Sequence, residues 1–231
     1  MATPLPTAAA PAAKGSAGPG RPKDPVKRAA ILDAAVRMFT ALGFEGASMD
    51  QIAAEAGVSK LTVYSHFGDK EALFGAAVRT VCDSLMPDNL FEAGADEPLA
   101  AQLDGIARAF FAMITTPEAL ATHRMMLAPG GDERLRQPFW EAGPERIHGA
   151  FAAFLEARAG ELEIADVPCA ARQFFALLKG ELHARMACGL CERPGPAAID
   201  AHIAATVEMF LRAYARPQPV AGRARGGHRS R

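Results

Sequence analysis

Apolar residues recur every three to four positions along most of the chain, and Gly and Pro punctuate the runs. That period predicts amphipathic helices. Asp24-Pro25 supplies an N-cap followed by proline at the first helical position. Ile31, Ala35, Phe39 and Leu42 then form the apolar side of a first helix. Gly43 closes it, with Phe44 as an anchor behind. Ser48 and Gln51 make a capping box for a second helix, whose buried side is Ile52, Ala53 and Ala56. Gly57 stands where the backbone needs a positive φ, which a side chain opposes. Val58 fills the corner. Ser59 caps a third, short helix with Val63 and Phe67 on its apolar side. Gly68 ends it and Asp69 caps a fourth helix, which runs to about Leu85 with Leu73, Phe74, Val78, Val81 and Leu85 as its stripe.

Pro87 and the polar stretch after it mark a break. Beyond residue 96 every periodic segment reads helical. Leu99, Leu103, Ile106, Phe110 and Met113 form one stripe, and Thr116-Pro117-Glu118 is a capped start. Leu135, Phe139 and Trp140 mark a short piece, and Gly143-Pro144 must kink or restart it. Ile147, Phe151, Phe154 and Leu155 continue to Gly160. Asp166 to about Met186, and Pro196 to Tyr214, are the last two helices. No useful length of β-alternation and no repeat interrupts this pattern. The fold class is therefore all-α, with about nine helices. Residues 1–23 are expected as a disordered arm, 24–70 as an N-terminal helix-turn-helix unit, 71–216 as a larger helical regulatory and dimerisation unit, and 217–231 as a disordered basic tail.

Helix, glycine turn and a short helix with a polar face together make a helix-turn-helix. The order Ala53-x-x-x-Gly57-Val58-Ser59 gives close approach, turn, plug and cap in sequence. The run Lys60-Leu-Thr-Val-Tyr64-Ser-His66-Phe67-Gly-Asp-Lys70-Glu71-Ala-Leu73-Phe74 closely resembles the signature of the TetR/AcrR family of bacterial transcriptional regulators. Its pattern is Ser-x-x-x-(aliphatic)-Tyr-x-His-Phe-x-x-Lys-Glu-x-Leu, and the resemblance covers roughly residues 27–74. In the second half, Gly143-Pro144-Glu145-Arg146 and Ala170-Ala171-x-x-Phe174…Gly180 are similar to the AefR-like type of TetR C-terminal domain.

That resemblance implies a short helix, Ser59–Phe67, entering the major groove of an operator. Lys60 and Lys70 would neutralise phosphate, and Tyr64 and His66 would touch the backbone through their polar tips, as the matching family positions do. Leu61 and Thr62 are the candidates for base edges. Ser48 and Ser59 can hydrogen-bond phosphate through hydroxyl or helix N-terminal amides.

Composition changes the picture in two ways. The formal net charge is −1, so DNA affinity must come from a local patch and not from global charge. Half the chain is hydrophobic, which supports a sizeable core, yet no run of eighteen apolar residues reads as a membrane span. The Ala/Pro/Gly-rich start lacks the layout of a signal peptide. Lys14, Arg21 and Lys23 make the arm basic, and Arg223, Arg225, Arg229 and Arg231 do the same for the tail. Four cysteines without framework spacing suit a reducing cytoplasm. No G-x-S-x-G, phosphate-binding loop or HExxH is present, so an enzyme is not expected.

In the second half, Phe110, Met113, Met125, Trp140, Phe151 and Phe174 are candidates to line a cavity for an apolar ligand, with Phe111, Met126 and Met186 beside them. Methionine adapts to varied shapes and tryptophan adds a polar handle. Taken singly, each also suits an ordinary core. His123, His148 and His183 are candidate polar contacts, without the tight spacing of a metal site. No cofactor is expected. Phe174 and Leu178 on one helix, and Ile199, Ile203, Val207, Phe210 and Tyr214 on the last, form more apolar seam than one subunit needs. This suggests a four-helix interface between two copies, as the resemblance implies. The reading is a homodimeric, ligand-responsive regulator, by default a repressor of a near-palindromic operator. The alternative is a DNA-binding redox sensor acting through the lone CxxC, Cys188 and Cys191.

Overall fold

Among the described residues, seven of the helices begin where a side chain accepts from their unpaired N–H groups; those opening at Leu99, Arg146 and Pro196 start without such a cap. In the computed structural model, which describes residues 24–92, 94, 97–128 and 132–217, the Asp24 carboxylate accepts from the backbone N–H groups of Val26 and Lys27 and opens α1 (Pro25–Gly46). The expected arm, and the tail beyond residue 217, lie outside the described residues. α2 (Met49–Glu55) starts with the full capping box. The Gln51 N–H donates to Ser48 Oγ at 3.2 Å, and the Ser48 N–H donates to Gln51 Oε1 at 2.9 Å. Ser59 caps α3 (Lys60–Phe67) and Asp69 caps α4 (Lys70–Leu85) in the same manner.

A 3-10 turn (Asp88–Phe91) follows, then α5 (Leu99–Ile114), α6 (Pro117–Leu127) and α7 (Glu133–Trp140). A π turn over Glu141–Glu145 carries α7 directly into α8 (Arg146–Ala157). Pro144 has no N–H and would clash with the carbonyl four residues back. The wider turn absorbs it, so the helix bends instead of restarting. α9 (Val167–Ala187) and α10 (Pro196–Tyr214) complete the chain. With α7, the π turn and α8 taken as one bent rod, the described residues form nine helical bodies.

The apolar faces bury into three clusters. The first belongs to α1–α4: Ile31, Ala35, Ile52, Val63, Leu73 and Ala77 pack together. The largest belongs to the later helices, where Leu103, Ile106, Phe111, Phe151, Phe174 and Phe210 meet. Between them, Phe44, Phe74 and Leu135 form a small joint, with Phe39, Met125 and Phe139 against it. α4 contributes to all three, through Leu73 and Ala77, then Phe74, then Cys82. It lies in a cradle made by α7 and the π turn. A Cβ added to Gly75 would come within 3.3 Å of the Pro138 side chain, and Gly143 passes close to Cys82 and Val78. Arg146, at the start of α8, binds Asp83 of α4 and, at 2.8 Å, Asp88 of the 3-10 turn.

Several expected stripe positions face outward. Leu42 of α1 is 47% exposed, and Val81 and Leu85 of α4 are 37% and 43% exposed, because α4 turns Gly75 and Cys82, with Met86 at its C-cap, inward instead. Periodicity gives the period of a stripe but not its phase when small residues mark the close contact.

At the centre of the large cluster, Phe151 is fully buried. Its ring lies 5.7 Å from Phe154, 4.7 Å from Phe174 and 5.1 Å from Phe175. Phe151→Ala is therefore expected to cost about 3–5 kcal/mol, read as a lower midpoint in urea denaturation.

Candidate nucleic-acid interface

The geometry of the first four helices separates anchors from presented groups. Val63 is fully buried and Phe67 half-buried. Leu61, two residues before Val63 on α3, is 78% exposed. Tyr64 is 41% exposed, and Lys60 and Ser59 are also at the surface. Gly57 takes φ +66°, which lets α2 turn into α3 in so few residues. Gly68 takes φ +84° and donates its N–H to the Tyr64 carbonyl at 2.8 Å, ending α3 sharply. A short helix is thus held by its apolar side, with its other side open.

The presented groups are not all equally free. Lys60 Nζ donates to Asp50 Oδ2 of α2 at 2.8 Å, and its ammonium lies 5.9 Å from the Tyr64 ring centroid. Asp50 raises the Lys60 pKa, first through the hydrogen bond and then through its charge. Thr62 is half-buried, its hydroxyl 2.8 Å from Ser59 Oγ. Ser48 is exposed at the N-terminus of α2 with its hydroxyl engaged by Gln51. His66 is half-buried, and its Nδ1 has no hydrogen-bond partner among the described residues. The Lys70 ammonium folds back over the Phe44 ring at 4.1 Å. Arg28 of α1 stacks over Phe67 at 5.0 Å and steadies α3 from behind.

Four of the six residues expected to line a ligand cavity, Phe110, Met113, Phe151 and Phe174, lie together in the large cluster. Phe151 and Phe174 stack at 4.7 Å and Phe110 meets Phe175 at 4.4 Å, while Met125 joins the small joint cluster and Trp140 is 49% exposed. Met113 is buried in the large cluster. A groove of about 550 Å³ opens elsewhere, between α5 and α10, lined by Ala100, Asp104, Ala204, Val207, Leu211 and Arg212.

The residues of the expected dimer seam lie largely inside the single chain. Phe174, Leu178, Ile203, Val207 and Phe210 are all under 9% exposed within the single chain, and Ile199 and Tyr214 are half-buried against the same cluster. The surplus of apolar surface is used internally, by α5 and α8 packing onto α9 and α10. Cys188 caps the end of α9 and Cys191 lies in the loop after it, both as free thiols.

Comparison with known proteins accounts for this arrangement. Residues 31–77 match the model of bacterial regulatory proteins of the tetR family, and residues 101–216 match that of the AefR-like transcriptional repressor C-terminal domain. A solved regulator of this family from Mesorhizobium loti MAFF303099 is 31% identical, over 82% of this chain and 97% of that one, with a TM-score of 0.67. The chain belongs to the TetR family. The Flavonoid-responsive Regulator FrrA, another solved TetR-like structure, is 34% identical over 83% of this chain and 98% of its own, with a TM-score of 0.64. The HTH-type transcriptional regulator RutR of Escherichia coli (strain K12) is 46% identical over 57 residues, which are 25% of this chain and 27% of RutR. That match spans only about a quarter of the curated relative's length. As a TetR-family member the chain is an all-helical, DNA-binding transcriptional regulator and not an enzyme. Among the described residues no helix is long and apolar enough to cross a membrane.

Three histidines in the body of this TetR-family chain have depressed pKa values. Burial is the first cause for His123, His148 and His183, and the charge of Lys179 acts on each. His183 is pushed down to about 4 from 6.5. The folded group therefore binds fewer protons than the unfolded one across that interval, and its contribution to stability is lost as pH falls through it. Thermal melting is expected to drop between about pH 6.5 and about pH 5. His183→Phe should flatten that slope; an unchanged slope would show that His183 is not held neutral.

Proposed function

We propose that the chain is a homodimeric, cytoplasmic repressor that binds a near-palindromic operator through α3 and is released by a small apolar effector. The observation that carries this is the split of α3: Val63 is fully buried while Leu61 is 78% exposed beside Lys60 and Tyr64. An apolar residue left that open on a helix anchored from behind suits a thymine methyl in the major groove. Lys60 exchanges Asp50 for a phosphate oxygen. Tyr64, His66, Ser48 and Ser59 contact the backbone, and Thr62 joins Leu61 at the base edges. Lys70 leaves the Phe44 face to reach a phosphate. Residues 24–70 form the reading head and 71–216 the regulatory body.

Two heads are needed for a two-fold operator, and their spacing must be about 34–36 Å. With the inner seam occupied, the pairing surface is the outer side of α9 and α10. Ala176, Ala184, Ala201, Ala205 and Met209 are all exposed there. Small side chains let helices from two copies approach closely, and Met209 supplies an adaptable apolar anchor. An effector in the body would shift α4 through its cradle and respace the heads. A coupling of about 1–3 kcal/mol changes affinity roughly 5–150-fold. FrrA, named as flavonoid-responsive, supports an aromatic effector.

Lys60→Ala is expected to weaken binding to all duplexes and to lower the slope of log K against log salt by about one. Operator titrations at several salt concentrations measure this, and an altered base preference at constant slope would contradict the phosphate role. Tyr64→Ala is expected to abolish operator binding with little change in melting temperature, because the ring is not part of the core. Met209→Asp should give monomers by light scattering; persistence of the dimer would place the interface elsewhere. A charge at Phe210, by contrast, is expected to unfold the body.

A further inference from the structure

On α9, Phe175 and Lys179 share one side at single-turn spacing, and His183 follows beyond the break at Gly180. That side faces α6 and α8. The His123 ring of α6 lies 5.1 Å from His183, and the His148 ring of α8 stacks on Phe175 at 5.4 Å. Trp140 stands edge-on to His148 at 6.2 Å and is half exposed, so an aromatic path leads from the surface to the turn that carries Lys179.

Lys179 is half-buried, and burial alone depresses its pKa. Among the described residues no carboxylate opposes that effect, although nearly every other partly buried cation in the body is matched. Arg146 binds Asp83 and Asp88; Arg158 binds Glu161 and the carbonyls of Gly94 and Glu97. Immediately after Lys179 the helix breaks. Gly180 takes φ +46°, and His202 Nε2 donates to the Leu178 carbonyl at 2.8 Å, so the bend is held from α10. The result is a cation fixed at a kink and lacking an opposite charge. Around it are three imidazoles that remain neutral near pH 7 and can offer N–H donors. A partly desolvated ammonium gains most from an anion, through a charge-assisted hydrogen bond in a setting of reduced dielectric.

We propose that the space between α6, α8 and α9 is an effector subsite for a small aromatic carboxylate, its anionic group paired with Lys179 and its ring against His148 and Phe175. This rests on the reading of the body as effector-responsive and adds the chemical class. The polar end of the effector selects for Lys179, and the ring enters past Trp140.

The test uses the full chain and the emission of Trp140, its sole tryptophan. It is titrated with trans-cinnamate and, separately, with the neutral cinnamamide. Cinnamate is expected to change the emission saturably, with at least about tenfold tighter binding than the amide, the worth of one charge-assisted contact. Lys179→Met should erase that preference and Lys179→Arg should retain it. Equal binding of the two compounds, or a Lys179→Met protein that still prefers cinnamate, overturns the proposal. So does the absence of saturation by about 10 mM, beyond the range of weak specific binding. If Lys179→Met fails to fold, the wild-type comparison of acid and amide still decides. Binding by the amide alone would sink the anionic site while keeping an effector-responsive body; binding by neither would sink both. The titration contains no DNA, so neither outcome bears on operator recognition.

Discussion

The structure depends on one helix belonging to two cores. Leu73 and Ala77 at the front of α4 complete the packing of α1–α3, while Cys82 further along is part of the large aromatic cluster. Close-packed interiors do not deform continuously. A shift of α4 therefore has to move the reading head as a unit or disrupt one of the two cores. The contacts that hold α4 come from α7, the π turn and α8. Arg134 of α7 binds Glu71 at the front of α4 at 3.0 Å, and Arg146 of α8 binds Asp83 near its end. The rod that bends at Pro144 thus grips α4 at both ends. π turns occur frequently at functional positions, and this one sits where the body meets the connector.

The two halves solve different physical problems. The head is small, and short-range polar contacts fix it: side-chain caps on α1–α4 and a positive-φ glycine at the turn. Its aromatic content is concentrated at the joint, where Phe39, Phe44 and Phe74 meet at 5.4–5.8 Å. The body instead relies on dispersion and burial, with Phe151, Phe174 and Phe175 in edge and stacked contact. Its polar exceptions are few and purposeful. Arg158 ties the end of α8 to the segment before α5, and also binds the Gln102 side chain.

The head was legible in the sequence because its determinants are local. Ser48 and Gln51 are three residues apart, and so are Ser59 and Thr62; Gly57 needs only its own backbone. The body was legible as helices but not as surfaces. Phe210 and Ile203 read as a seam for a second copy because a stripe does not say which neighbour will cover it. Trp140 read as a cavity wall because hydrophobicity does not reveal exposure. The proposed site around Lys179 is not legible in the sequence, although His123, His148 and His183 stand out there as candidate polar contacts. Its meaning lies in what is not beside it, and that requires three helices brought together from positions some sixty residues apart.

Asp50 and Lys60 carry a further consequence. A duplex reaching for this cation must first evict a carboxylate already bonded to it at 2.8 Å. That toll is the same at every stretch of chromosome, whatever its letters. In the proposed complex any duplex supplies a phosphate in exchange, so the contact weighs equally on every sequence and leaves discrimination to Leu61 and Thr62. On that proposal, a lysine already paired with Asp50 would hold every stretch of chromosome a little less tightly, and alike.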